Sequence, residues 1–162
     1  MPEISPLGWF HTGMGAFALI CGVVALVKYR EITLTTRPGQ IYLLATLITA
    51  LTALMIFQRG IFGPGHALAV MTLLALATGA VATTTKVFGK WSRYLVALSF
   101  SGTLLFHSVP AVTDALLRLP VGDPIATSFE SPILLSCYLI LLILFFVGIT
   151  AQMRWINRVE KV

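Results

Sequence analysis

Five long apolar segments, separated by short polar connections, constrain this chain more than any other feature. They cover about residues 9–27, 40–57, 64–84, 94–114 and 132–153. Each is close to the roughly 20 mainly apolar residues that a helix needs to cross a bilayer. A helix also satisfies its backbone hydrogen bonds internally, as lipid requires. The sequence therefore predicts an all-α fold, a polytopic membrane helix bundle with five transmembrane helices.

The composition agrees with a membrane protein. Charged residues make up 10% of the chain and the mean hydropathy is +0.92, whereas a soluble domain carries about 25% charged residues. We expect one transmembrane helical-bundle domain over residues 1–162, with the lipid bilayer as its surroundings. The net charge of +5 is spread over the connections, so no nucleic-acid partner is expected.

The basic residues predict the orientation of the bundle. Arg59 and Arg118 fall on one predicted side, and nine others fall on the opposite side: Lys28, Arg30, Arg37, Lys86, Lys90, Arg93, Arg154, Arg158 and Lys161. Cytoplasmic connections of membrane proteins are enriched in Lys and Arg. We therefore expect the N-terminus outside and the C-terminus in the cytoplasm.

With this orientation, all three histidines lie toward the outer face. His11 opens the first span, His66 opens the third, and His107 lies in the outer half of the fourth. Histidine can be neutral in lipid and still ligate a metal or carry a proton. Three histidines from separate helices therefore predict a binding site near the outer face.

A stripe of small residues runs below His11. Gly15, Ala18, Gly22 and Ala25 follow His11 at helical spacing. Such a stripe admits either a neighbouring helix or a flat cofactor. The first interpretation of the site is haem b in an electron-transfer module, with two of His11, His66 and His107 as axial ligands and Gly15 making room for the ring. If the protein is an enzyme, we expect its activity to be this electron transfer.

A metal ion is the alternative occupant of the same site. His11, His66 and His107, with Asp114 as a further ligand, offer donors that suit copper or zinc. The spacing contains no pair of histidines four residues apart, so it selects no particular metal.

Two further interpretations need no cofactor. Ser99, Thr103, His107 and Asp114 form a polar stripe on the fourth span, and polar groups inside a membrane mark functional sites by default. The stripe is typical of a small proton or solute transporter or channel. Otherwise the small-residue faces serve a homo-oligomer or a larger membrane complex, of which the chain is a non-catalytic subunit. No constellation for hydrolase or transferase chemistry is present.

Two motifs resemble a family of uncharacterised bacterial multi-pass membrane proteins. One is His11-Thr12-Gly13-x-Gly15 followed by Gly22, and the other is Arg37-Pro38-Gly39-Gln40-Ile41-Tyr42. The resemblance covers about the first 80 residues, and it implies a protein of the bacterial inner (cytoplasmic) membrane with no settled activity. Thr35 and Thr36 stand where that family has a His-Arg pair, so no role of that pair carries over.

Overall fold

A computed structural model of the protein describes residues 4–57, 61–85 and 87–160. These residues are helical, without strands. They form five α-helices and one short 3-10 turn at Gly89–Trp91; the α-helices are α1 (Pro6–Tyr29), α2 (Arg37–Leu54), α3 (Pro64–Thr84), α4 (Ser92–Arg118) and α5 (Pro132–Val159). The predicted all-α class is confirmed.

Four of the helices are long and apolar enough to cross a membrane: α1, α3, α5, and α4 together with its preceding turn. Helix α2 is not among them, because it is 18 residues long and begins with the polar sequence from Arg37 to Gln40. Its threonines are compatible with an apolar setting, since Thr49 and Thr52 donate their hydroxyls to carbonyls of Ala45 and Ile48 one turn back.

Proline sets the start of most helices. Pro6, Pro38, Pro64 and Pro132 each occupy the first turn of a helix, where the missing N–H would have no partner within the helix. At α1 the Ser5 hydroxyl also accepts the N–H of Gly8 at 3.1 Å. These signals explain why the helix starts could be predicted closely, above all the start of α3 and of α5.

Consecutive helices pack against each other in an antiparallel arrangement, and α1 also contacts α4. One end of the bundle holds the start of α1, the α2–α3 connection and the α4–α5 connection; we call it the histidine end. The other holds the α1–α2 and α3–α4 connections and the end of α5; we call it the basic end. Helix α5 packs on α4 and leaves most of its surface exposed, as its bulky leucines and phenylalanines indicate.

Helices α1, α2 and α4 approach one another closely in the core. Ala18 and Ala25 of α1 are fully buried, as is the Tyr42 ring of α2. A β-carbon on Gly22 would lie 2.7 Å from Leu104 and 2.9 Å from the Tyr42 ring. The absence of a side chain at Gly22 therefore lets the three helices meet.

A hydrogen-bonded junction closes the basic end. The buried Gln152 amide of α5 donates to the Arg30 carbonyl at 2.9 Å and accepts from the Ser101 hydroxyl at 2.9 Å. Beside it, Arg93 forms an ion pair with Glu31 at 3.1 Å. Helices α1, α4 and α5 are thus tied together at this end.

Two details of the predicted spans differ from the structure. Span two was expected to reach Phe57, but α2 ends at Leu54. The chain must turn back toward α3 there, and Phe57 places its ring 4.5 Å from that of His66 instead of extending α2. Helices α4 and α5 are each longer than their predicted spans, because amphipathic turns beyond the apolar cores continue them to Arg118 and Val159.

Candidate functional site

His11 lies in the second turn of α1 and faces α2. Its Nδ1 is 3.1 Å from the Thr49 carbonyl oxygen and 3.1 Å from the Thr52 hydroxyl. Because a carbonyl can only accept, Nδ1 carries the hydrogen and donates it. The neutral ring then keeps the lone pair on Nε2, so His11 retains one nitrogen for a proton or ligand.

His107 is buried in the middle of the bundle, with 8% of its surface exposed. Its Nε2 is buried and has no hydrogen-bond partner among the described residues. His11 on α1 and His107 on α4 lie on helices that pack against each other, and Asp114 lies two turns beyond His107 on α4.

His66 takes a different role. Its Nδ1 accepts the N–H of Gly63 at 3.2 Å and so caps the start of α3. Its ring lies against Phe57 and against Phe62, with centroids 4.5 and 5.0 Å away. In the described part of the chain, no interaction joins it to His11 or His107. His66 is thus engaged in helix capping, and the convergence of the three histidines on one site stays a prediction.

Asp114 is also engaged. Its carboxylate accepts from the Arg118 guanidinium at 2.6 Å, one helical turn away, and it is partly exposed. Within residues 4–57, 61–85 and 87–160, no three His, Cys, Asp or Glu side chains lie close enough together to hold a metal ion. The four predicted metal ligands are thus not assembled as one group. Arg59, the other basic residue expected near Asp114, lies outside the described residues.

The stripe on α4 divides into two parts. The Thr103 hydroxyl is buried and lies 2.6 Å from the Tyr42 hydroxyl of α2. Ser99 instead lines a cavity of about 240 Å³ beside Gly102 and Phe106, on the α3–α5 side.

Helix α2 supplies further polar groups, on a span whose hydroxyl residues predict contact with neighbouring helices. The Thr46 hydroxyl is fully buried beside the Tyr42 hydroxyl, yet no contact there meets hydrogen-bond geometry. The Thr36 hydroxyl, at the start of α2, is likewise buried and unpartnered. We call the following set the polar seam: Thr36, Tyr42, Thr46, Thr49 and Thr52 on α2, His11 on α1, and Thr103 and His107 on α4. The signal was present in the sequence as hydroxyl residues at spacings of three and four.

The polar seam includes positions near both ends of α2. Thr36 precedes the first turn of α2 and Thr52 lies in its last turn. At about 1.5 Å per residue, these positions are about 24 Å apart along the axis, which approaches the roughly 30 Å thickness of a bilayer's apolar core. Among the described residues, three of the four buried and unpartnered side-chain polar atoms belong to this seam: Thr36 Oγ1, Thr46 Oγ1 and His107 Nε2.

The surface beside Gly15, where a haem ring is expected, packs against Thr49 of α2. A β-carbon on Gly15 would lie 3.5 Å from the Thr49 methyl group, an ordinary packing contact. The stripe below it, from Ala18 to Ala25, is buried in the bundle core. The structure therefore shows the small stripe as a helix-packing surface. Two cavities of about 550 and 240 Å³ lie along the α4–α5 side, and no histidine lines either one.

No family model matches this chain, and no curated protein or solved structure shows significant similarity to it.

Proposed function

We propose that this protein is a small membrane transport protein that conducts protons along the polar seam. The single observation that carries the proposal is the set of buried, unpartnered polar atoms in the seam, with His107 Nε2 at its centre. Such an atom costs about 1–3 kcal/mol when it has no partner. Buried polar atoms without a partner are rare in native proteins and call for an explanation, and the passage of protons along the bundle is the explanation proposed here.

The residues of the seam have the chemistry for this task. A neutral imidazole accepts a proton at one nitrogen and releases one from the other. His11 on α1 and His107 on α4 are the two imidazoles of the seam, and each can take up and release a proton. The hydroxyl pair of Tyr42 and Thr103 continues the path toward the basic end, since each hydroxyl both donates and accepts.

The proposal includes α2 as a fifth span and a fixed orientation. With α2 crossing, the basic end faces the cytoplasm and the histidine end faces outside, as the distribution of Lys and Arg favours. The resemblance in the first 80 residues points to a bacterial inner membrane. Protons would then enter from outside, past Asp114 and His11.

Cysteine labelling tests this topology. In a Cys21→Ala, Cys137→Ala background, we expect Val121→Cys, in the exposed α4–α5 connection, to react with a membrane-impermeant maleimide in intact cells. Thr35→Cys, in the α1–α2 connection, should react only after permeabilisation. If α2 does not cross, both positions lie on one side and label together. Labelling of Thr35→Cys alone would reverse the orientation.

Proton flux tests the function directly. The purified protein in liposomes, with a trapped pH-sensitive dye and a valinomycin-driven potential, should acidify the interior faster than protein-free liposomes do. Equal rates would contradict the proposal.

Haem b remains the alternative, and a Soret absorption band in protein purified from haem-replete cells would favour electron transfer over conduction. A copper or zinc site would instead appear as stoichiometric metal in elemental analysis.

A further inference from the structure

An apolar groove runs along the outside of the bundle between α1 and α5. Its floor is α4, with Ser101, Leu104 and Leu105, and its walls include Leu26 of α1 and Phe145 of α5. The groove encloses about 550 Å³. It is separate from the polar seam, which faces α2.

The groove has the length of one lipid leaflet. On α5 its lining extends from Leu141 to Trp155, which is about 21 Å of helix at 1.5 Å per residue. Half of a bilayer, with its headgroup region included, is about 20–22 Å thick. Gly148 lies within the lining, and no atom outside its own helix comes within 4 Å of the position of its missing β-carbon. The middle of the groove is therefore open enough to receive a hydrocarbon chain.

The groove ends in a positive charge. Arg30 lines its basic end, has an exposed side chain and forms no ion pair with any residue that the structure describes. Trp155 lies at the same end, with the Arg93 guanidinium 5.1 Å from its ring centroid. The polar floor there is already satisfied, because Gln152 bonds both Ser101 and the Arg30 carbonyl. The unpaired charge of Arg30 is thus left for a group outside the protein.

We propose that this groove holds one anionic phospholipid, with an acyl chain against Leu104 and Gly148 and its headgroup phosphate at Arg30. Apolar walls bind the chain by burying its methylene groups. The charge favours an anionic over a zwitterionic lipid, because a basic residue near the membrane surface attracts anionic headgroups. Trp155 packs beside the headgroup, where tryptophan is usually found in membrane proteins.

Quenching of Trp155 fluorescence by brominated lipids tests the proposal. A Trp9→Phe, Trp91→Phe variant leaves Trp155 as the one tryptophan, and it is reconstituted with phosphatidylglycerol or phosphatidylcholine brominated near the headgroup, at equal mole fractions. We expect an occupancy about fivefold higher for the anionic lipid, the factor for one basic residue at the membrane surface.

Three variants of that protein separate the parts of the proposal. Arg30→Gln should remove the preference, and Gly148→Phe, which fills the groove, should reduce quenching by the anionic lipid to the level of the zwitterionic one. Arg158→Gln is the matched control, because Arg158 is an exposed basic residue of the same end that does not line the groove. It should keep the preference.

Other results would overturn the proposal. Equal quenching by both lipids, or a preference that survives Arg30→Gln, excludes a lipid held by Arg30. If a second copy of the chain fills the groove, both lipids quench weakly and quenching rises as the protein is diluted with lipid. Neither result depends on proton flux, so the lipid site and the proposed function can fail independently.

Discussion

Replacing His107 by glutamine is expected to reduce proton flux through the protein by about tenfold or more. Glutamine is polar and of similar size, but it cannot take up and release a proton near neutral pH. A positioned proton-transfer group typically contributes factors of about 10²–10⁴ to a rate. His107 is the buried histidine whose Nε2 is left unpartnered in the polar seam, so no described group on its face replaces it.

His66→Asn is the matched control for this experiment. His66 is as buried as His107, with 6% exposed, and its Nε2 is also unpartnered. It differs in position, because it caps α3 and does not contact the seam. Asparagine keeps an oxygen that can accept the Gly63 N–H, so the cap is preserved. We expect flux close to that of the unmodified protein.

Comparison of the two variants separates the effect of losing a buried histidine from the effect of losing the histidine in the polar seam. If both lose flux equally, burial of a polar ring and not its place in the seam is responsible, and the proposal fails. If neither loses flux, protons do not pass His107. Tyr42→Phe adds a third point: removing the hydroxyl that pairs with Thr103 should lower flux without introducing a charge or a cavity.

The helices could be predicted from the hydrophobic pattern. The site could not, because it depends on which side chains become hydrogen-bond and packing partners. The apolar runs and the prolines at 64 and 132 gave α3 and α5 their starts directly. The side of the bundle on which His66 lies was predictable too. Its capping bond to Gly63, however, depends on the local turn and on the packing of two phenylalanines, neither of which the apolar pattern contains.

The small-residue stripe on α1 is a second case in which the sequence does not identify the packing partner. The spacing of Gly15, Ala18, Gly22 and Ala25 predicted one smooth face but left open what covers it. The structure places α2 there, with Thr49 packed beside Gly15 and Tyr42 packed beside Gly22. The buried junction at Gln152 is not predictable in the same way, because a single polar residue in a strongly apolar helix does not indicate its partners.

The second large expected effect is a loss of stability on substitution of Gly22 in the small-residue stripe. Gly22→Ala is expected to lower the free energy of unfolding by about 1–3 kcal/mol, the usual cost of overpacking a filled core. The new methyl group would lie 2.7 Å from Leu104 and 2.9 Å from the Tyr42 ring. Leu104 can shift its terminal methyl, but the Tyr42 ring is fully buried and its hydroxyl is bonded to Thr103.

Gly15→Ala, on the same face two turns earlier, is the control. Its methyl group would meet Thr49 at 3.5 Å, which is normal contact distance, and alanine is favoured over glycine within a helix by up to about 1 kcal/mol. We therefore expect this variant to match or exceed the stability of the unmodified protein, measured by thermal unfolding in detergent. A destabilised Gly15→Ala protein would mean that the α1–α2 interface is tighter at the histidine end than described.

A stable Gly22→Ala protein would have a sharper consequence. It would mean that Tyr42 can move away from α1 at little cost, and hence that the Tyr42–Thr103 bond is not fixed by packing. The polar seam relies on that bond to continue the path from His107 toward the basic end. Since the added methyl group is expected to displace Tyr42, Gly22→Ala should lose proton flux along with stability. Gly15→Ala should keep both.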